Sequence, residues 1–145
     1  MAGPRVSFYI VADGDEPARR SYACRLVEKA YLQDHRVVVR LGSGDDVADF
    51  DELLWRFSDR SFVPHEVAGS DPGAAPVLLT AGEDPAGAAD VLVNLADDVP
   101  PWFCRYARVV ELVGGDAAAR QAGRERFRFY REQGLEPETH NLGAG

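Results

Sequence analysis

The chain has 145 residues, of which 46% are hydrophobic and 28% charged, and its formal net charge is -8. This composition fits one globular domain with a single core, so residues 1–145 are read as one unit. The acidic balance argues against gripping nucleic acid over a broad surface, which requires neutralising several phosphates, and no apolar run approaches the roughly 18 residues of a membrane span.

The N-terminal MAGPRVSFYIVADG enters a strand-like run directly, without the basic region, apolar stretch and cleavage site of a secretory signal, so a cytoplasmic location is expected. VSFYIV, 6 to 11, is the first expected strand. From Pro17 to Asp34, the residues Tyr22, Ala23, Leu26, Val27, Ala30 and Tyr31 recur at helical spacing and predict a helix with one core face. RVVVRL, 36 to 41, is a second strand, and GlySerGlyAspAsp leads into a helix over about 45 to 57. PVLLT at 76 to 80, DVLVNL at 90 to 95 and ARVVELV at 107 to 113 are three more strands. The last helix is expected from about Asp116, as its cap, to Gln133, with Gly134 as its stop. The polar tail LEPETHNLGAG carries no further element, and its final residues are expected to be mobile.

Alternating strands and helices, with runs such as VVV and VLV, predict an α/β fold: a mainly parallel twisted sheet of five or more strands with helices on both faces. The loop AGEDPAGAA has no helical pattern, so 76–80 and 90–95 are expected to pair antiparallel in a mixed sheet.

Chemistry is sparse. LGSGDDVADF has the position of a phosphate loop but lacks the third glycine of a dinucleotide fingerprint and the GlyLys[Ser/Thr] of a Walker loop. Asp45 and Asp46 sit where a phosphate would meet the helix dipole, so the segment reads as a turn and N-cap, and no cofactor is expected. His35, His65 and His140 are isolated, the AspAsp pairs at 45 and 97 suggest no metal by themselves, and no nucleophile motif occurs. Cys24 and Cys104 are both read as buried thiols. The fold and GlySerGly leave one alternative, a small nucleotide-binding or hydrolytic enzyme.

Two stretches stand out. In the last helix Arg120, Arg124, Phe127, Arg128 and Arg131 share a stripe about 100° wide, with Phe127 expected to be exposed among the arginines. The dipole and packing of arginine stems explain part of this, but the pattern favours a site for a short acidic peptide with an apolar anchor. In LLWRFSDRSFVPHEVAG, 53 to 69, the residues Val47, Phe50, Leu53, Leu54 and Phe57 form a core arc, with Trp55 roughly 130° from its centre. Trp55 and Phe62 are then either a satellite cluster or a partner-binding patch.

Together, the FYI strand, LLWRFSDRSFVPHEVAG, the VLVNL strand and RERFRFYREQG resemble the chi subunit of bacterial DNA polymerase III holoenzyme. The resemblance implies a non-catalytic linker in DNA replication. It pairs one-to-one with the psi subunit of the clamp-loader complex through residues matching Trp55 and Phe62. It also binds the acidic C-terminal tail of single-stranded DNA-binding protein, which ends in phenylalanine, through residues matching Arg120, Arg124, Phe127 and Arg128. The family's aromatic at Phe127 is typically tyrosine. In some members a helicase-related protein uses the psi surface. No direct nucleic acid, membrane, metal or cofactor is implied.

Overall fold

The computed structural model describes residues 3–11, 16–57, 63–67, 75–83, 85 and 90–142. Among the described residues, seven strands build one sheet: β1 (Arg5–Val11), β2 (Val37–Arg40), β3 (His65–Val67), β4 (Val77–Thr80), β5 (Val91–Asn94), β6 (Arg108–Val113) and β7 (Glu138–Leu142). Their spatial order is β3-β4-β2-β5-β6-β1-β7, and every pairing is parallel. The helices that cover it among the described residues are α1 (Glu16–Leu32), α2 (Gly44–Arg56) and α3 (Ala117–Glu132), with a 3-10 turn at Phe103–Arg105.

Side-chain alternation sorts the core into two layers. Val37, Val39, Val91, Val93, Val110 and Leu112 point to one face, where they meet Ala23 and Val27 of α1 and Val47, Phe50 and Leu54 of α2. Val6, Phe8, Val38, Leu92, Val109 and Val113 point to the other and meet Phe103, Tyr106 and Tyr130. Residues 37–39 of β2 and 91–93 of β5 are buried on both faces, the reason those stretches read as apolar runs, while each strand ends on a buried polar residue, Arg40 or Asn94.

The expected antiparallel pairing of 76–80 with 90–95 does not occur. β2 lies between β4 and β5 and pairs in parallel with both, and β3 takes the other side of β4, so β4 has no free edge for β5. Two strands went unread. β3 is three residues long, and β7 comes from the polar tail. β7 pairs with β1 alone, from Ser7↔Glu138 to Val11↔Leu142, and an edge strand that meets water needs no hydrophobic alternation. The mobility expected of the last residues, 143–145, lies outside the described residues.

Helix ends follow local chemistry. Asp116 Oδ1 accepts from Ala119 N at 2.7 Å to cap α3, and Gly134 takes φ +86° just past it. Ser43 Oγ accepts from Asp46 N at 3.1 Å to cap α2, so GlySerGly is a turn and cap as expected. Cys24 is buried under α1, and burial, then the charge of Glu28, pushes its thiol up to about 12. Cys104 departs from expectation: in the 3-10 turn it is exposed, while the neighbouring Phe103 fills the core.

Candidate functional site

α3 is held to the sheet by Gly123, Arg126 and Tyr130, all buried on one side of the helix. Gly123 permits close approach: a Cβ there would stand 3.0 Å from both methyl groups of Val113 on β6. The opposite side carries Arg120, Arg124, Arg128 and Arg131, all exposed. Arg124 Nη2 donates to neutral Gln121 Oε1 at 3.2 Å, and among the described residues no carboxylate pairs with any of the four. Phe127 corrects the expectation of an exposed ring. It is half-buried at the border of the two sides, with its centroid 5.2 Å from that of Phe8.

A groove of about 400 Å³ opens beside it. Its floor is Phe8, Ile10 and Val113, its helical wall Arg120, Gly123, Arg124 and Phe127, and its far wall Thr139 and Asn141 of β7. A wider, shallower depression of about 530 Å³ continues over Arg124, Phe127, Arg128, Arg131 and Glu132. The four candidate residues Arg120, Arg124, Phe127 and Arg128 therefore border one continuous surface, with apolar ground beneath and exposed guanidinium groups above. Such a surface can hold an apolar side chain while the arginines take its carboxylates. The contribution of β7 was missed because nothing in its sequence marks it as a strand.

Beneath α3 lies a polar cluster that helical phase alone does not reveal. Glu111 of β6, fully buried, accepts from Arg126 Nε at 2.8 Å, from Tyr130 Oη at 2.6 Å and from Asn94 Nδ2 at 3.0 Å. Arg40 Nη1 reaches Asn94 Oδ1 at 3.3 Å and Asp98 Oδ1 at 2.9 Å. Burial pushes the Glu111 carboxyl up, opposed by Arg126 and the donors around it, while burial and the neighbouring Glu111 push the Tyr130 phenol well above its usual value. Every contact to Glu111 comes from a donor, so the cluster serves as an anchor for the helix.

The second stretch lies at the far edge of the sheet. Val47, Phe50 and Leu54 are buried, Leu53 and Phe57 pack against that layer, and Trp55 is 46% exposed, facing away from the core as the helical phase requires. Its ring stands 4.2 Å from that of buried His65. Phe62, the other candidate there, lies outside the described residues. Trp55 is far in the sheet order from the α3 groove: α2 packs on β3 and β4, whereas the groove lies at β1, β6 and β7. Among the described residues no group of three or more His, Cys, Asp or Glu side chains could hold a metal ion, and no helix is long and apolar enough to cross a membrane.

A family model described as "DNA polymerase III chi subunit, HolC" matches residues 4–138, from the approach to β1 to the first residue of β7. The DNA polymerase III subunit chi of Pseudomonas aeruginosa is 41% identical over 138 residues, 95% of this chain and 96% of its own. The subunit chi of Haemophilus influenzae is 26% identical over 138 residues, 94% and 96% of the two chains, and that of Escherichia coli 28% over 118 residues, 80% of each. A match that takes in α1, α2 with Trp55, and the whole of α3 leaves one assignment: the chain belongs to the DNA polymerase III chi subunit family of DNA replication.

Proposed function

We propose that the protein is a non-catalytic, cytoplasmic linker with two opposite docking surfaces: α3 and its groove for the acidic C-terminal tail of single-stranded DNA-binding protein, and the Trp55 edge, with Phe62, for the psi subunit. The observation that carries the first is the coincidence of an apolar groove with four exposed arginines that no carboxylate pairs among the described residues. Arg120 and Arg124 border the groove and Arg128 extends the charge beyond it, so the tail's terminal carboxylate and preceding aspartates have partners on either side of Phe127. The ring of Phe127, steadied by Phe8, walls the place for the tail's phenylalanine. It does so without the hydroxyl of the family's usual tyrosine, so packing rather than a hydrogen bond is its contribution. Exposed charge pairs of this kind are modest and screened, and the contact weakens with salt.

The decisive experiment titrates a labelled Asp-Asp-Asp-Ile-Pro-Phe peptide. Arg124→Ala and Phe127→Ala each weaken binding roughly tenfold, in line with about 1–2 kcal/mol for a charge-assisted bond or a half-buried ring. Amidating the peptide's C-terminus weakens it comparably. Unchanged affinity in both variants would remove the assignment. For the second surface, co-expression with the cognate psi protein gives a one-to-one complex that Trp55→Arg disrupts. A helicase-related partner using the same surface competes with psi for it.

A further inference from the structure

The proposed docking of psi at Trp55 leaves a neighbouring feature without a use: the histidine that ends SerPheValProHis. His65 opens β3, and its side chain is fully buried although it carries two polar nitrogens. Nδ1 lies 2.7 Å from the carbonyl oxygen of Val63, which can only accept, so Nδ1 carries the proton of that bond. Nε2 lies 2.9 Å from Asp51 Oδ1 and 3.3 Å from the Asp51 carbonyl oxygen, both acceptors, so in this geometry Nε2 donates to Asp51 and the ring carries a proton on each nitrogen. The imidazole plane is therefore fixed at both ends, by its own strand entry on one side and by α2 on the other.

Asp51 and Trp55 are four residues apart on α2 and share a face of that helix. Clamping the imidazole on Asp51 sets it against the indole one turn on, with ring centroids 4.2 Å apart and planes inclined at 45°. A tryptophan that is 46% exposed would ordinarily sample several rotamers, and ordering such a side chain at the moment of docking costs affinity. Here the indole rests against a buried ring that is itself held in place.

We propose that His65, held by Asp51 and the Val63 carbonyl, is a positioning residue that fixes the Trp55 indole for partner docking. The proposal rests on the assignment of psi to the Trp55 surface. It makes Asp51 part of the same device, acting through His65 and touching no partner.

The test uses the full chain carrying Trp102→Phe, so that Trp55 is the only tryptophan, and measures time-resolved fluorescence anisotropy without psi and affinity for psi with it. His65→Gln raises the local mobility of the indole and lowers psi affinity roughly 3- to 10-fold, the range for ordering one side chain on binding. The same His65 change made in a Trp55→Ala chain costs nothing further. Asp51→Asn, whose amide can accept from Nε2–H through its oxygen or donate to a bare Nε2 through its nitrogen, keeps the indole rigid and the affinity near that of the parent, whereas Asp51→Ala reproduces the loss and serves if His65→Gln does not fold. An unchanged anisotropy in folded His65→Gln or Asp51→Ala overturns the proposal, as does an equal loss with and without Trp55. Should Trp55→Ala itself leave psi affinity intact, the docking assignment is what fails, and a mobile indole in His65→Gln would still establish the clamp.

Discussion

Replacing Arg126 by Met tests whether α3 is anchored by the buried ion pair or by its apolar packing alone. Arg126 is 5% exposed, donates to Glu111 Oε1 at 2.8 Å from Nε and to the Asp97 carbonyl at 3.1 Å from Nη1. Methionine fills much of the same volume but leaves Glu111, with no exposure at all, to Asn94 and Tyr130. Removing one partner of a buried pair costs about 3–5 kcal/mol, because the other charge stays behind without compensation. For a chain of this length, with an unfolding entropy of about 2.1 cal/mol/K per residue, that lowers the melting temperature by about 10–16 °C. Adding Glu111→Gln to Arg126→Met removes the stranded charge and recovers more than half of the loss. Differential scanning calorimetry of the three chains decides the matter. A shift under about 3 °C for Arg126→Met, or no recovery in the double variant, would refute the anchoring role of the charge pair.

Gly123→Ala would ordinarily stabilise a helix interior by up to about 1 kcal/mol, but here the new methyl meets both Val113 methyls at 3.0 Å, so overpacking outweighs propensity and the melting temperature does not rise. Because Gly123 also lines the groove, tail-peptide affinity falls in the same variant. At the sheet edge, the hydrogen bond and charge of Arg5 hold the Glu138 carboxyl below the usual glutamate range, with His140 adding to this. A depressed carboxyl stabilises the fold above the usual glutamate value and loses that contribution as pH falls through its own lower value. Hydrogen-exchange protection of β7 therefore drops with acid before that of β6, and Arg5→Ala removes the difference.

The sequence by itself determined the parts of this protein that depend on local periodicity and end chemistry. Helices α1, α2 and α3, the cap at Asp116 and the stop at Gly134, strands β1, β2, β4, β5 and β6, and the outward phase of Trp55 all follow from patterns within a few residues. The arginine stripe on α3 was legible for the same reason, since four charged side chains at helical spacing must share a face wherever the helix packs. What tertiary structure alone decided was partnership across the sheet. β2 between β4 and β5 turned an expected antiparallel pair into two parallel ones. The polar tail became β7 because β1 offered it an open edge, and with it came the far wall of the groove. Phe127 sank halfway because Phe8 lies beneath it, and Cys104 surfaced because Phe103 took the core position. Glu111, Arg126 and Asn94 could not be recognised as a cluster from residues 94 to 126, since their spacing has no periodicity. Only the folded sheet brings those donors within hydrogen-bonding distance of one carboxylate, and only there does burial make the arrangement matter.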